Sequence, residues 1–131
     1  MKKLGFGFMR LPTTDPQDRS AVDYEKGKEL VDAYMERGFC YFDTAFKYCG
    51  GNSEEAIRRA LVDRYPRESY VLTTKLTNEF MHTQEEQVET FRRQMEKLGV
   101  DYVDYYLLHN QGAVNYKVSQ ELDSFAFIQG L

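Results

Sequence analysis

The sequence of 131 residues contains no tryptophan, only two histidines and only two cysteines. The cysteines, Cys40 and Cys49, are too few and too far apart to supply the four closely paired ligands of a structural zinc site. We therefore expect no metal site in this chain. We also expect Cys40 to be buried in a strand and Cys49 to be a loop thiol.

The sequence also lacks a long hydrophobic run and any excess of basic residues. No apolar segment approaches the roughly 18 residues that a membrane-spanning helix needs, and the formal net charge is −4. The amino-terminal segment, MKKLGFGFMRLP, has only a short apolar stretch and does not resemble a signal peptide. We therefore expect a cytoplasmic protein with neither a membrane nor a nucleic acid as its partner.

What the sequence does contain is enough apolar surface for the core of one domain. Hydrophobic residues make up 42% of the chain, and aromatic residues 15%. Four short and nearly continuous runs of aromatic and β-branched residues predict strands that are buried on both faces. The four runs are Leu4–Met9, Phe39–Phe42, Tyr70–Thr74 and Tyr102–Leu108.

Four helices are predicted between and after these strands. The clearest begins at Thr83, because Thr83 and Glu86 have the spacing of a capping box, and it ends before Gly99. Another is predicted to begin at Asn52, with Glu55 at the corresponding capping position. The remaining two are predicted from about Asp23 to Gly38 and, after a loop over residues 111–117, from about Ser119 to the end.

The alternation of strands and helices predicts an α/β fold with a parallel sheet and crossover helices. The repeat of roughly 30 residues is the length of a βαβ unit. Two architectures fit this order: a doubly wound open sheet and a (β/α)₈ barrel. A complete barrel needs about 250 residues. Four βα units in 131 residues would therefore be half a barrel, formed by a single domain over residues 1–131.

Polar side chains stand at or just after the ends of three of the predicted strands. Asp43 ends the second strand, Lys75 the third and His109 the fourth, and Tyr48 lies in the loop after the second. Each of these residues alone has an ordinary structural explanation. In parallel α/β folds, however, ligands bind beyond the carboxyl ends of the strands. Together, the four residues predict a functional site at that edge of the sheet.

Four segments carry a resemblance to a known family: GFGFMRLP, YFDTAFKYCGGNSEEAIRRAL, TTKL and VDYYLLHN. Along almost its whole length, the sequence resembles the amino-terminal half of an aldo-keto reductase. The resemblance implies the first four units of a TIM-type (β/α)₈ barrel. It also implies reduction of small aldehydes and ketones with a nicotinamide cofactor, usually NADPH, with NADH as a possibility. The catalytic tetrad that it implies consists of Asp43, Tyr48, Lys75 and His109.

Each tetrad residue has a physical role in this chemistry. Reduction of a carbonyl group places negative charge on its oxygen, so Tyr48 would donate a proton there as general acid. A nearby ammonium favours the charged form of an acid, which would make Lys75 the group that promotes this donation. Asp43 would pair with Lys75. We therefore expect Lys75 within hydrogen-bond or ion-pair distance of both Asp43 and Tyr48. His109, as a neutral imidazole, would polarise the substrate oxygen.

The resemblance also implies residues that contact the cofactor. These residues are Gly7, Phe8, Met9, Asp43 and Asn110. Phe46 and Phe80 are candidates for lining the substrate pocket, although ordinary loop packing explains them equally well.

The remaining half of such a barrel is not in this sequence. The chain would be truncated within its fourth helix, with two unpaired strand edges and an uncovered apolar face. We therefore expect it to self-associate or to bind a second half-barrel. The alternative to an active reductase is an inactive half-barrel that keeps the tetrad but does not bind the cofactor. The sequence does not identify the substrate.

Overall fold

The structure, a computed structural model, describes residues 2–131 and contains one parallel sheet. The strands are β1 (Gly5–Gly7), β2 (Tyr41–Asp43), β3 (Val71–Leu76) and β4 (Tyr105–Leu108). Their order in the sheet is β1-β2-β3-β4, and every neighbouring pair is parallel. A doubly wound sheet reverses its strand order at a switch point. Because this order runs in sequence without reversal, the sheet is the first half of a (β/α)₈ barrel.

Five helices lie between and after the strands among the described residues. They are α1 (Tyr24–Glu36), α2 (Ser53–Ile57), α3 (Gln84–Leu98), α4 (Ala113–Glu121) and α5 (Ser124–Gln129). A π-helical turn, Arg58–Val62, continues α2. Short 3₁₀ turns occupy Phe8–Arg10 and Arg67–Ser69.

Helix α3 has the boundaries that the sequence predicts. The Thr83 hydroxyl accepts a hydrogen bond from the backbone amide of Glu86, and the Glu86 carboxylate accepts one from the amide of Thr83. Gly99 ends the helix in the left-handed conformation, with φ of 70°. In α1, Asp23 caps the first turn by accepting a hydrogen bond from Lys26. These boundaries follow from contacts between residues three or four positions apart, which a sequence pattern encodes directly.

The capping prediction for α2 is wrong. The side-chain amide of Asn52 donates to the backbone oxygen of Ser20 at 2.8 Å, and the Glu55 carboxylate forms an ion pair with Arg59. Asn52 has φ of −94° and ψ of −2°, which is a helical conformation and not the extended one typical of a capping residue. Its side chain therefore does not reach back to the free amides of the first turn.

The prediction of a single fourth helix after a loop is also wrong. Helix α4 begins at Ala113, inside the predicted loop, and ends at Glu121. Asp123 then takes a left-handed conformation, with φ of 51°, and α5 follows it. The residue before α4 is Gly112, which has no side chain and so provides no capping signal in the sequence. The predicted start, Ser119, is buried and bonded to Gln111.

The hydrophobic core lies between the sheet and the helices. Phe42 is fully buried at the centre of the sheet, and its ring contacts those of Phe6 and Tyr34. Because successive strand residues point to opposite faces, the neighbours of Phe42 point away from the helices. On that opposite face, Tyr105 and Leu107 of β4 are 52% and 41% exposed. The prediction of strands buried on both faces is therefore wrong for β1 and β4, each of which has a neighbouring strand on one side only among residues 2–131.

Cys49 lies in a loop, as predicted, but the burial of the two cysteines differs from the prediction. Cys49, in the loop, is buried and its Sγ lies 3.4 Å from the backbone oxygen of Phe8. Cys40, just before β2, is partly exposed. Across residues 2–131, no three His, Cys, Asp or Glu side chains are grouped to hold a metal ion. In the same range no helix has the length and apolar character needed to cross a membrane.

Candidate active site

An ion pair between Asp43 and Lys75 lies at the carboxyl ends of β2 and β3. Asp43 is in register with Thr73, so Lys75 projects from the same face of the sheet two residues further along β3. The Lys75 Nζ is 2.6 Å from both carboxylate oxygens of Asp43. It also donates to the backbone oxygen of Thr44 at 2.8 Å. The predicted pairing of these two residues is present.

The contact between Lys75 and Tyr48 differs from the expected one. The ammonium lies 5.1 Å from the centroid of the Tyr48 ring, in cation–π geometry. No hydrogen bond between Lys75 and the Tyr48 hydroxyl exists in the described structure. The reason is that an ammonium has three donors, and Asp43 and Thr44 provide three acceptors. The expectation of a hydrogen bond or ion pair with both partners is therefore correct only for Asp43.

Tyr48 is held above the strand ends by a tight turn. The turn, Tyr48–Gly51, contains three residues with positive φ: Cys49 at 52°, Gly50 at 61° and Gly51 at 92°. A Cβ at position 50 would lie 2.7 Å from the Cβ of Ser20, so only glycine fits there. The turn directs the phenol toward the end of β4. The Tyr48 hydroxyl is 3.5 Å from Nε2 of His109, and the two rings meet edge to face.

His109 is positioned by β3 on its other side. Its backbone amide donates to the oxygen of Leu76, and its Nδ1 lies 3.0 Å from the hydroxyl of Thr77. Partial burial lowers the pKa of His109, and the positive charge of Lys75 lowers it further. The imidazole is therefore neutral at neutral pH, as we expected from the sequence.

A cavity of about 440 Å³ opens beside the Tyr48 hydroxyl. Its lining residues come from segments that follow all four strands: Met9, Lys47, Tyr48, Glu79, His109 and Asn110. Phe46 and Phe80 do not contribute to the lining among the described residues. Phe80 is instead 70% exposed and lies under the ammonium of Lys47, 3.8 Å from it.

The residues implied to bind a cofactor fall into two groups. Gly7, Met9 and Asn110 are exposed near the strand ends, and nothing lies within 4 Å of the position that a Cβ of Gly7 would take. The side chain of Phe8, in contrast, is fully buried in the core and is not available to a ligand. The carboxylate of Asp43 is held by Lys75.

A buried polar network supports Lys75 from behind β3. Glu54 is fully buried, and its Oε1 accepts hydrogen bonds from Thr74 at 2.9 Å and from Gln94 at 2.6 Å. The amide of Gln94 also donates to the backbone oxygen of Lys75, and its own oxygen accepts from Tyr106. Burial raises the pKa of Glu54, an effect that these hydrogen bonds oppose.

Four residues at the site were not found by sequence reasoning. Thr44 and Thr77 contact tetrad residues directly, and each follows a tetrad residue by one or two positions. Proximity in the sequence was therefore an available signal for them. Lys47 and Glu79 form an ion pair with each other at the cavity. Because they are 32 positions apart, no local pattern connects them.

The model of the aldo/keto reductase family matches residues 3–126. This match covers most of the chain and agrees with the half-barrel fold. The chain therefore belongs to the aldo/keto reductase family.

Individual relatives agree with this assignment. The aldehyde reductase YPR1 of Saccharomyces cerevisiae is 34% identical over 107 residues, which are 81% of this chain and 29% of that enzyme. The crystal structure of the aldo-keto reductase MGS-M4, from a deep-sea metagenome of the Medee basin, is 31% identical with a TM-score of 0.64. The matched region spans 99% of this chain and 43% of the MGS-M4 chain.

A further solved structure shows the same fold at lower identity. The aldo-keto reductase of Klebsiella pneumoniae, determined in complex with NADPH, is 22% identical with a TM-score of 0.64. The matched region spans 92% of this chain and 41% of the Klebsiella chain. The chain thus spans less than half the length of these relatives and corresponds to the amino-terminal part of their barrel.

Proposed function

We propose that this chain is the amino-terminal half of a nicotinamide-dependent reductase of aldehydes and ketones, with Tyr48 as the general acid. The observation that carries the proposal is the arrangement at the strand ends. The Asp43–Lys75 ion pair lies beside the Tyr48 ring, and the neutral His109 faces the hydroxyl of the same tyrosine. Membership of the family supports carbonyl reduction as the type of reaction.

Tyr48 supplies the proton in the proposed reaction. As the carbonyl carbon is reduced, its oxygen gains an electron pair and takes the proton from the Tyr48 hydroxyl. The phenolate that remains is stabilised by the ammonium of Lys75. Asp43 holds that ammonium in place, and a proton from solvent then restores the phenol.

His109 orients the substrate. In our proposal the Thr77 hydroxyl donates to Nδ1 of His109, which leaves the ring hydrogen on Nε2. That Nε2 lies beside the Tyr48 hydroxyl at the cavity. A carbonyl oxygen placed between them would therefore accept two hydrogen bonds as its negative charge develops.

The residues near the strand ends fit the nicotinamide end of a cofactor. The surface at Gly7 is open, and Met9 and Asn110 are exposed beside the cavity, so this edge of the site is accessible to a ring. When bound, NADPH or NADH would supply the hydride that reduces the carbonyl carbon. The Klebsiella relative with NADPH supports the phosphorylated form. We propose the cytoplasm as the compartment, in keeping with membership of the family.

The open face of the sheet supports the proposal that residues 1–131 are one domain that needs a partner. Tyr105 and Leu107 of β4 are exposed there, although strands of a closed barrel have neighbours on both sides. Four further strands, from a second half-barrel or from a second copy, would cover this face. The same observation favours the second candidate: a half-barrel that keeps the tetrad but binds no cofactor alone.

Titration of the chain with NADPH, followed by a fluorescence change, separates these two candidates. Micromolar binding together with NADPH oxidation that depends on an added aldehyde is the result expected of the reductase. No binding and no oxidation would instead identify the isolated chain as inactive.

The variant Tyr48→Phe tests the assigned proton donor. It should lower kcat/KM by a factor of roughly 10² to 10⁴, because general acid catalysis contributes that much. Tyr102→Phe is the matched control, since Tyr102 is 53% exposed at the opposite end of β4. Equal activities of the two variants would refute the role of Tyr48.

A further inference from the structure

An ion pair not used in the proposed chemistry lines the cavity beside Tyr48. Lys47, which directly precedes Tyr48, contacts Glu79, which lies in the segment after β3. The pair therefore joins the loops that follow two neighbouring strands. Glu79 also accepts a long hydrogen bond of 3.4 Å from Asn115 of α4. Both charged side chains are partly exposed and so can be reached by a small molecule that enters the cavity.

The charges around this cavity compensate one another. Lys47 and Glu79 are its only ionised lining residues among the described part of the chain, and they carry opposite charges. The hydrogen bond from Lys47 lowers the pKa of Glu79, which is therefore ionised at neutral pH. Deeper in the site, the charge of Lys75 is compensated by Asp43. A ligand in the cavity thus meets strong donors and acceptors but no free counter-charge.

We propose that the Lys47–Glu79 pair determines substrate specificity and selects uncharged carbonyl compounds with a hydroxyl or another neutral polar substituent. The inference rests on the proposed function, which places the carbonyl group between Tyr48 and His109. A hydroxyl substituent can donate to Glu79 or accept from Lys47 without separating them. A carboxylate has to displace Glu79 from Lys47 or remain unpaired beside it, and both are unfavourable.

Two matched ligands test the charge selection without turnover. Methyl 4-(hydroxymethyl)benzoate and 4-(hydroxymethyl)benzoate share one ring and differ in charge, and as alcohols they form no imine with lysine. Their binding to the chain can be measured from the chemical shifts of Tyr48 and His109. We expect the wild-type chain to bind the ester more tightly than the acid.

Two variants of the pair should differ in this preference: one should weaken it, and the other should keep it. Glu79→Gln leaves Lys47 without its counter-charge and should shift the ratio of the two dissociation constants about tenfold toward the acid. The exchange of both residues, Lys47→Glu with Glu79→Lys, restores neutrality and should restore the preference for the ester. Glu29→Gln is the control, because it removes the same charge from an exposed ion pair with Lys26 on α1.

Each outcome of the experiment supports or overturns the inference. An unchanged ratio in Glu79→Gln, a wild-type preference for the acid, or no binding of either ligand would overturn it. A failed reductase function gives a different result: charge-dependent binding without aldehyde-dependent NADPH oxidation. Conversely, NADPH oxidation can be measured with the aldehydes that correspond to the acid and to the ester. If the chain oxidises NADPH and the ratio of the two kcat/KM values is the same in the wild type and in all variants, only the proposed specificity is overturned.

Discussion

Strands β3 and β4 are neighbours in the sheet, yet their environments differ. In β3, which has β2 on one side and β4 on the other, four of the six residues are buried. In β4, which has a neighbour on one side only, no residue is fully buried. Three of the six residues of β3 are polar, whereas all four residues of β4 are tyrosine or leucine. The difference shows that the presence of neighbours, and not the residue types, decides how much of a strand is buried.

The same contrast extends to the residues at the strand ends. Lys75, at the end of β3, has a partner within the chain for each of its donors. His109, after β4, faces the cavity and has its Nε2 3.5 Å from the nearest hydroxyl. All three donors of the Lys75 ammonium are thus satisfied by Asp43 and Thr44. The His109 imidazole, in contrast, still has the capacity to bind a substrate oxygen.

The largest expected effect is on the free energy of unfolding, and it comes from a comparison of Leu72 in β3 with Leu107 in β4. Leu72→Ala should lower the free energy of unfolding by about 2–5 kcal/mol, because Leu72 is fully buried and its removal leaves a cavity. Leu107→Ala should cost less than about 1 kcal/mol, since Leu107 is 41% exposed. Urea unfolding at fixed protein concentration measures both. A cost at Leu107 as large as that at Leu72 would mean that β4 is covered in solution by a second molecule.

A smaller effect tests the buried network behind β3. Burial raises the pKa of Glu54 above its ordinary value of about 4.5, so the folded state binds more protons than the unfolded state just above that pH. The stabilisation is therefore complete below about pH 4.5 and is lost as the pH rises through the folded-state pKa. Within that window the loss can reach about 1.4 kcal/mol per pH unit.

The variant Glu54→Gln should remove this part of the pH dependence of unfolding. Glu55→Gln is the matched control, because the Glu55 carboxylate is partly exposed and paired with Arg59. Urea unfolding at several pH values between 4 and 8 measures the difference. If the slope in Glu54→Gln equals that of the wild type, Glu54 is not the buried group that titrates.

The smallest expected effect concerns the break between α4 and α5, on the β4 side of the molecule. Asp123 has φ of 51°, a conformation that costs most side chains about 1–2 kcal/mol but costs glycine little. Asp123→Val should therefore unfold at lower urea concentration than Asp123→Gly, by about 1 kcal/mol in free energy. A Val variant at least as stable as the Gly variant would show that α4 and α5 join into one helix in solution, as the sequence pattern predicts.

Sequence reasoning succeeded where the signal is local. The capping box at Thr83 and the left-handed Gly99 fix α3 through contacts within one helical turn. The alternation of strands and helices gave the parallel sheet, and a polar residue at successive strand ends indicated the edge at which the site lies. Sequence reasoning failed at Asn52, whose amide bonds to Ser20, a residue 32 positions away.

The four tetrad residues show the same limit: the sequence indicated which residues meet, but not how they contact one another. The resemblance identified Asp43, Tyr48, Lys75 and His109, and the structure brings these side chains together. It did not indicate that Thr44 would take the third donor of Lys75 and so leave a cation–π contact with Tyr48. That outcome depends on the path of the backbone after β2, which no pattern of residue types specifies.

By itself, the sequence determined the order of the strands and helices, the α3 boundaries and the identity of the four residues at the rim. These features follow from the periodicity of apolar residues, from capping residues and from the ends of strands, all of which are read within a few positions. Only the tertiary structure decided that Lys47 meets Glu79, that Cys49 is buried and that β4 is open on one face. Each of these depends on which distant residues become neighbours, and the free energy of such contacts is set by burial and charge in the folded chain.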